Sequence, residues 1–167
     1  MTTSLAPSDE RAHEPSASSA WSETWEWRVV DPVARMAVVV AVVRRPAVGR
    51  SSYVAAVLAE GRPTVAVIEH DVASPRRGLE LRASGLWADH VCEEPFRHWS
   101  LGLEAFGLVL DDPDDAVRDR RGTLVPVGAD LEWEDAEVLS AAGTGGVDSG
   151  YRTVGRAHGE LLVGDGS

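Results

Sequence analysis

The sequence contains no lysine, asparagine or glutamine, and it has a single cysteine among its 167 residues. All 16 basic residues are arginine. The chain therefore cannot form a lysine Schiff base, hold pyridoxal phosphate through one, or supply the lysine of a phosphate-binding P-loop. The lone Cys92 excludes an internal disulfide and a four-cysteine zinc site, and it agrees with a cytoplasmic protein.

The net charge and the length of the apolar runs bear on whether the chain binds nucleic acid or a membrane. The chain has 27 acidic against 16 basic residues and a formal net charge of −11 at pH 7, so it should repel phosphate backbones. We therefore expect neither nucleic acid nor a membrane surface as a partner. The longest apolar run, residues 36–43, is far shorter than the roughly 20 residues of a spanning helix.

The first twenty residues mix proline, serine and acidic residues and lack the apolar core of a signal peptide. This composition predicts a disordered tail over residues 1–20 that buries little and is dispensable for folding. Residues 165–167 form a second short tail in this interpretation. A single cytoplasmic domain is expected over residues 21–164.

Alternation of apolar and polar residues is strongest in residues 78–110. Residues 79–83 and 86–91 show the period of two that is typical of half-buried strands, and Gly85 fits the turn between them. Residues 97–110 are apolar on both faces, which predicts a strand covered on both sides. A helix over residues 100–110 is the alternative, but two internal glycines and the absence of caps argue against it.

Similar patterns predict further strands along the chain, at residues 21–30, 36–43, 52–59, 63–70, 124–134 and 151–163. One short helix is expected at residues 114–121 and a loop at residues 141–150. Eight or nine strands with at most one short helix predict an all-β fold. An antiparallel β-barrel is favoured, because closure removes exposed strand edges, and an eight-stranded barrel has room for one small ligand.

The main catalytic candidate is Glu104, which shares a strand face with His98 and Phe106. A carboxyl group in an apolar lining has a raised pKa and can act as a general acid near neutral pH. The alternative is an ordinary ion pair of Glu104 with Arg82 or Arg28.

His90 and Cys92 lie two residues apart on one strand and point to the same side. They could ligate a metal only with further ligands such as His98 or Glu94, and no oxyanion motif accompanies Cys92 as a nucleophile. We therefore predict no metal and no cofactor. His90, His98 and Glu94 remain catalytic candidates beside Glu104.

Aromatic side chains are the candidate ligand contacts. Trp25 and Trp27, two apart on one strand, predict an aromatic wall, with a plain core pair as the alternative. The full set of predicted ligand-binding aromatics is Trp25, Trp27, Trp87, Trp99, Phe106 and Trp133.

Three blocks of the sequence resemble a known family: GLWADHVCEEPFRHWSLGLEAFGLVLDDP at 85–113, VPVGADLEWE at 125–134 and YRTVGRAHGELLVGDG at 151–166. They are similar to the first half of a two-domain lipocalin-like family that contains the carotenoid 1,2-hydratases (hydroxyneurosporene synthase type) and the AttH-like proteins. The resemblance covers residues 21–164 and implies a lipocalin-like, calycin-like barrel. Family positions map onto Trp87, His90, Glu94, Trp99 and Glu104, without an assigned role for any of them.

The relatives in that family act as hydratases of isoprenoid chains, as cyclases and as decalin-forming pericyclases. The resemblance therefore implies a cofactor-free cyclase or hydratase that binds a hydrophobic polyene, isoprenoid or polyketide intermediate of natural-product biosynthesis. One alternative is a binding module that carries an apolar small molecule unchanged. Another is half of a two-part protein, because family members continue into a second half, so we expect a homodimer or a separately encoded partner.

Overall fold

The computed structural model describes residues 5–118, 122–142 and 150–164. Nine strands account for most of this part of the chain. Their bounds are β1 Glu23–Asp31, β2 Met36–Arg45, β3 Arg50–Ala59, β4 Thr64–Ala73, β5 Leu79–Ala83, β6 Leu86–Glu94, β7 His98–Leu110, β8 Thr123–Ala142 and β9 Gly150–Val163. Short 3-10 turns lie at Pro7–Glu10 and Pro46–Val48, and one α-helical turn, α1, lies at Asp115–Arg118.

All strand pairs are antiparallel, and the nine strands form one sheet. β1 to β4 form a meander, β5 and β6 form a hairpin, and β9 pairs only with β8 among the described residues. β7 holds the sheet together, because it pairs with β6, with β8 and, over its last three residues, with β4. The result is a nearly closed antiparallel β-barrel, so the predicted all-β lipocalin-like fold class is confirmed.

Side chains of alternate positions fill the barrel. The inward rows are contributed by Trp25 and Trp27 of β1, by valines of β2 and β4, and by leucines of β5 to β7. β-branched residues suit these strands because their restricted χ1 packs well on a pleated surface. The ring of Trp27 contacts the rings of His90 and Trp99 at centroid distances of 5.2 Å, which shows that β1 folds over β6 and β7.

The strands predicted from alternation are present, and the helix considered for residues 100–110 is instead β7. Most strand ends shift by one to three residues, and two elements need separate comment. The helical turn α1 begins one residue later than predicted, and residues 119–121 at its predicted end lie outside the described residues. β8 runs to Ala142 instead of ending near residue 134, with an irregular register around Asp135, whose φ is 53°. The predicted loop at 141–150 falls mostly on residues 143–149, which are not described.

None of the described helices has the length and apolar character needed to cross a membrane.

Candidate functional site: the barrel interior and the end closed by Glu10

The two faces of β7 have opposite environments. Trp99, Leu101 and Leu103 point into the barrel and are buried, whereas Glu104 is exposed and Phe106 is 58% exposed. Register with β6 and β8 fixes this choice, because the inward positions of β7 lie opposite residues that are buried or partly buried, among them Ala88, His90 and Leu131. Glu104 therefore lies on the outer face and not in an apolar lining, which corrects the expectation on which its general-acid role rested.

The alternative ion pairs of Glu104 are also not formed. Arg82 pairs with Glu80, at 2.5 Å between a guanidinium nitrogen and Oε1, and Arg28 pairs with Glu26. Each of these arginines finds its carboxylate on its own strand, two residues away.

His98 and Glu94, two further catalytic candidates, also lie outside the barrel. The Nε2 of His98 is 2.5 Å from Oε2 of Glu132, and Oε1 of the same carboxylate accepts a hydrogen bond from Ser100 at 3.1 Å. The bond to Glu132 raises the pKa of His98. Glu94 is exposed and pairs with Arg97 at 3.5 Å. Of the four predicted catalytic residues, the structure brings only His90 into the interior.

The predicted ligand-binding aromatics also divide between the two faces. Trp25, Trp27 and Trp99 are buried in the core, and Trp133 packs partly buried against it. Trp87 and Phe106 occupy outward positions of β6 and β7. The aromatic wall predicted at Trp25 and Trp27 is therefore part of the barrel core.

Two polar side chains lie deep in the barrel. Tyr53 of β3 is 0% exposed and His90 of β6 is 3% exposed, and their rings stack at 5.7 Å and 25°. The Tyr53 hydroxyl and both ring nitrogens of His90 have no hydrogen-bond partner within the described residues. Burial lowers the pKa of His90 to about 4, an effect that the backbone of Asp89 offsets only in part, and burial also raises the pKa of Tyr53.

A small cavity of about 10 Å³ adjoins these groups. Apart from Tyr53 and His90, its walls are valine, alanine and leucine side chains from both halves of the sheet. A volume of about 10–15 Å³ is needed for one water molecule, so the cavity accommodates at most one water-sized group. The interior is thus an apolar core with one polar pair at its centre.

A row of aromatic rings leads from this pair to one end of the barrel. Tyr53 stacks on His90, His90 contacts Trp27, and Trp27 contacts Trp99. Beyond Trp99 lies the side chain of Glu10.

Glu10 belongs to the N-terminal segment, which we define as residues 5–22, and is only 2% exposed. Its carboxylate accepts hydrogen bonds from Nε1 of Trp99, from Sγ of Cys92 at 3.7 Å and from the hydroxyl of Tyr151. These donors come from β7, β6 and β9. The composition of residues 1–20 did not predict this burial, because the contacts are supplied by distant strands.

Cys92 is half-buried, and its thiol stays protonated at neutral pH. Burial, followed by the negative charge of Glu10, raises its pKa to about 11. A thiol in this state is neither a good nucleophile nor a ready metal ligand. The described residues contain no group of three or more His, Cys, Asp or Glu side chains that could hold a metal ion.

Sequence reasoning singled out His90 but missed Tyr53 and Glu10. A signal for Tyr53 existed, since it is a lone aromatic residue on a strand otherwise built of arginine, serine, valine, alanine and leucine. No comparable local pattern marks Glu10.

One family model, described as "Domain of unknown function (DUF7064)", matches residues 6–167. The match covers nearly the whole chain, including Glu10 and every strand of the barrel. No curated protein and no solved structure matches the sequence.

Proposed function

This chain belongs to the DUF7064 family, and we propose that it is a binding module for an apolar small molecule whose polar group is recognised inside the barrel by Tyr53 and His90. The observation that carries the proposal is the set of polar atoms on these two residues that have no hydrogen-bond partner in the described part of the chain and lie among apolar side chains.

Such an arrangement is costly in the absence of a partner. A buried donor or acceptor without a hydrogen bond costs about 1–3 kcal/mol, so native interiors rarely keep one. At neutral pH His90 is uncharged, and it therefore offers one N–H donor and one acceptor nitrogen beside the Tyr53 hydroxyl. A hydroxyl or carbonyl oxygen on an otherwise apolar molecule would satisfy these groups.

Entry of such a molecule requires the barrel to open. Small-molecule pockets usually have volumes of about 300–1,000 Å³, whereas the cavity here is about 10 Å³. The N-terminal segment closes one end through a single buried side chain, Glu10. Its departure, together with movement of the neighbouring aromatic rings, is the route by which a ligand reaches Tyr53 and His90.

Cyclase or hydratase chemistry stays a prediction from the family resemblance. Glu104, His98 and Glu94 lie on the outside, and His90 with a pKa of about 4 holds no proton to donate as an imidazolium at neutral pH. Binding without chemistry requires only the groups that the interior contains.

The test uses parinaryl alcohol, a conjugated tetraene alcohol, and follows the quenching of tryptophan fluorescence. We expect saturable quenching by the wild-type chain and an affinity reduced about two- to tenfold in Tyr53→Phe, which loses one hydrogen bond. Val30→Ala, at an exposed position of β1, is the control and should bind as the wild type does. Absence of saturable quenching, or equal affinity in Tyr53→Phe, would exclude the proposal.

A second candidate, self-association, is favoured by a separate observation on the outer face. Register places Phe106, Leu108, Leu124, Pro126 and Leu162 on neighbouring outward positions of β7, β8 and β9. Phe106, Leu124 and Leu162 are each about 60% exposed. Exposed apolar patches of this kind mark interaction sites, and a two-fold axis pairs one such patch with itself.

We propose that a second copy of the chain covers this patch. The patch is apolar apart from its neighbour Glu104, so two copies can bury the apolar side chains against each other. The net charge of −11 opposes pairing of two copies, so association should strengthen as salt screens the repulsion. Sedimentation velocity at low and high salt measures this, with Phe106→Asp as the disrupting variant. A monomer at both salt concentrations would exclude the second candidate.

A further inference from the structure

We propose that the pocket around Glu10 is a receptor for the carboxylate of an apolar acid, and that the N-terminal segment occupies this receptor when no ligand is bound. The inference rests on the proposed binding function and names the class of ligand that the barrel takes.

The donors around Glu10 are suited to any carboxylate. Trp99, Cys92 and Tyr151 converge on one carboxylate from three strands, and all three are uncharged groups in a largely aromatic surrounding. Such a set recognises a carboxylate by direction and hydrogen bonding, since a carboxylate accepts several bonds at once. Nothing in this set is specific to a glutamate of the same chain.

The N-terminal segment buries little of itself against the barrel. Glu10 is its one buried side chain among the described residues, and residues 11–20 are all exposed. Its other contacts with the barrel are polar and are made by His13. The backbone N–H of His13 donates to the carboxylate of Glu23 at 3.2 Å, Nδ1 of His13 lies 2.5 Å from Oε1 of that carboxylate, and Arg44 donates to the carbonyl oxygen of His13 at 3.4 Å. Because the segment buries so little apolar surface, its release from the barrel costs little free energy of hydrophobic burial.

The pocket around Glu10 adjoins the row of rings that leads into the interior. Trp99 contacts both Glu10 and Trp27, and the row of rings continues through His90 to Tyr53. An acid bound by its carboxylate in place of Glu10 would direct its apolar chain along this row into the core, where a hydroxyl or carbonyl oxygen farther along the chain would meet Tyr53 and His90. The ligand class is therefore an apolar, chain-like carboxylic acid.

The test compares parinaric acid with parinaryl alcohol, which share the same tetraene chain and differ only in the terminal group. Tryptophan quenching gives the affinity of each probe for wild type, Glu10→Ala and Tyr151→Phe. Glu10→Ala empties the receptor, so we expect the affinity for the acid to rise about tenfold or more relative to that for the alcohol. Tyr151→Phe removes one donor and should weaken the acid several-fold while leaving the alcohol unchanged.

Glu10→Gln guards against a variant that fails to fold. It keeps the size of the side chain but lacks the charge, so it competes less well for the donors, and acid affinity should lie between wild type and Glu10→Ala. Equal gains for both probes would show a steric cover only and would overturn the inference. Binding of the alcohol that depends on Tyr53, with no change in the acid-to-alcohol ratio, would also overturn it but would leave the proposed function in place. No binding of either probe by any variant would overturn both.

Discussion

Lowering the pH should destabilise this barrel through one buried histidine. His90 has a pKa of about 4 in the folded chain against an ordinary value of 6.5, and the cause is burial. As the pH falls below 6.5, His90 becomes protonated in the unfolded chain, whereas in the folded chain it stays neutral until about pH 4. Stability is therefore lost across this window, and none of this loss is expected above pH 7 or further below pH 4.

The magnitude follows from the size of the shift. A pKa difference of one unit corresponds to about 1.4 kcal/mol, so the full effect is about 3 kcal/mol, of which about 2 kcal/mol should be lost between pH 7 and pH 5. Most carboxylates titrate below this range. The partly exposed pair of His98 and Glu132 does not imitate the effect, since a raised histidine pKa loses its stabilisation as the pH rises, not as it falls.

Urea unfolding followed by tryptophan fluorescence at pH 7, 6 and 5 measures this effect directly. His90→Phe keeps an aromatic ring between Tyr53 and Trp27 and should show little change in unfolding free energy over the same range. His70→Gln, which alters an exposed histidine, should retain the wild-type slope. Identical pH slopes in wild type and His90→Phe would refute the assignment of the effect to His90.

Three further predictions follow from single residues. Gly159→Ala should lower the free energy of unfolding by at least about 2 kcal/mol, because φ is 138° and an added Cβ would lie 2.0 Å from the carbonyl oxygen of Asp130. The control Gly150→Ala meets no atom within 4 Å and should cost less in the same denaturation assay. Cys92, with a pKa of about 11 against 9.0, should react with a disulfide reagent at pH 8 about a hundredfold more slowly in the folded chain than in urea; equal rates would contradict its burial. His98→Gln should lower the urea midpoint at pH 6 but not at pH 9. The raised pKa of His98 stabilises the fold below pH 6.5, and this contribution disappears as the pH rises through the pKa of His98 in the folded chain. A difference in midpoint that does not depend on pH would contradict this account.

The strands were predictable because their signals are local. The alternation in β5 and β6, with Gly85 at φ 76° between them, specifies a hairpin without reference to the rest of the chain. The same holds for β3 and β4 around Gly61, which has a φ of 70°.

The orientation of β7 was not predictable in the same way. Both of its faces carry apolar residues, so a period of two cannot say which face lies inside, and a shift by one residue exchanges them. The pairing with β6 and β8 decides the question, and this pairing places Trp99 inside and Glu104 outside. The candidate acid was therefore assigned to the wrong side of the strand.

Glu10 shows a different limit. Its segment has no apolar periodicity, and its start signals, Pro7 and the Asp9 carboxylate that accepts from the backbone N–H of Ala6, are local to the 3-10 turn. The three donors to Glu10 lie more than eighty residues away in sequence. Burial of this kind exists only after the strands have assembled. Tyr53 is an intermediate case, since alternation placed it on a strand but could not show that its hydroxyl would meet no partner.

The most direct test of the account is hydrogen exchange of the N-terminal segment with and without parinaric acid. In the closed barrel the backbone N–H groups of Asp9, Arg11 and His13 are hydrogen-bonded. At saturating acid, the account predicts faster exchange across residues 5–20 and slower exchange in β6 and β7, because the ligand displaces Glu10 and occupies the interior. Bound acid with unchanged or slower exchange across residues 5–20 would contradict it.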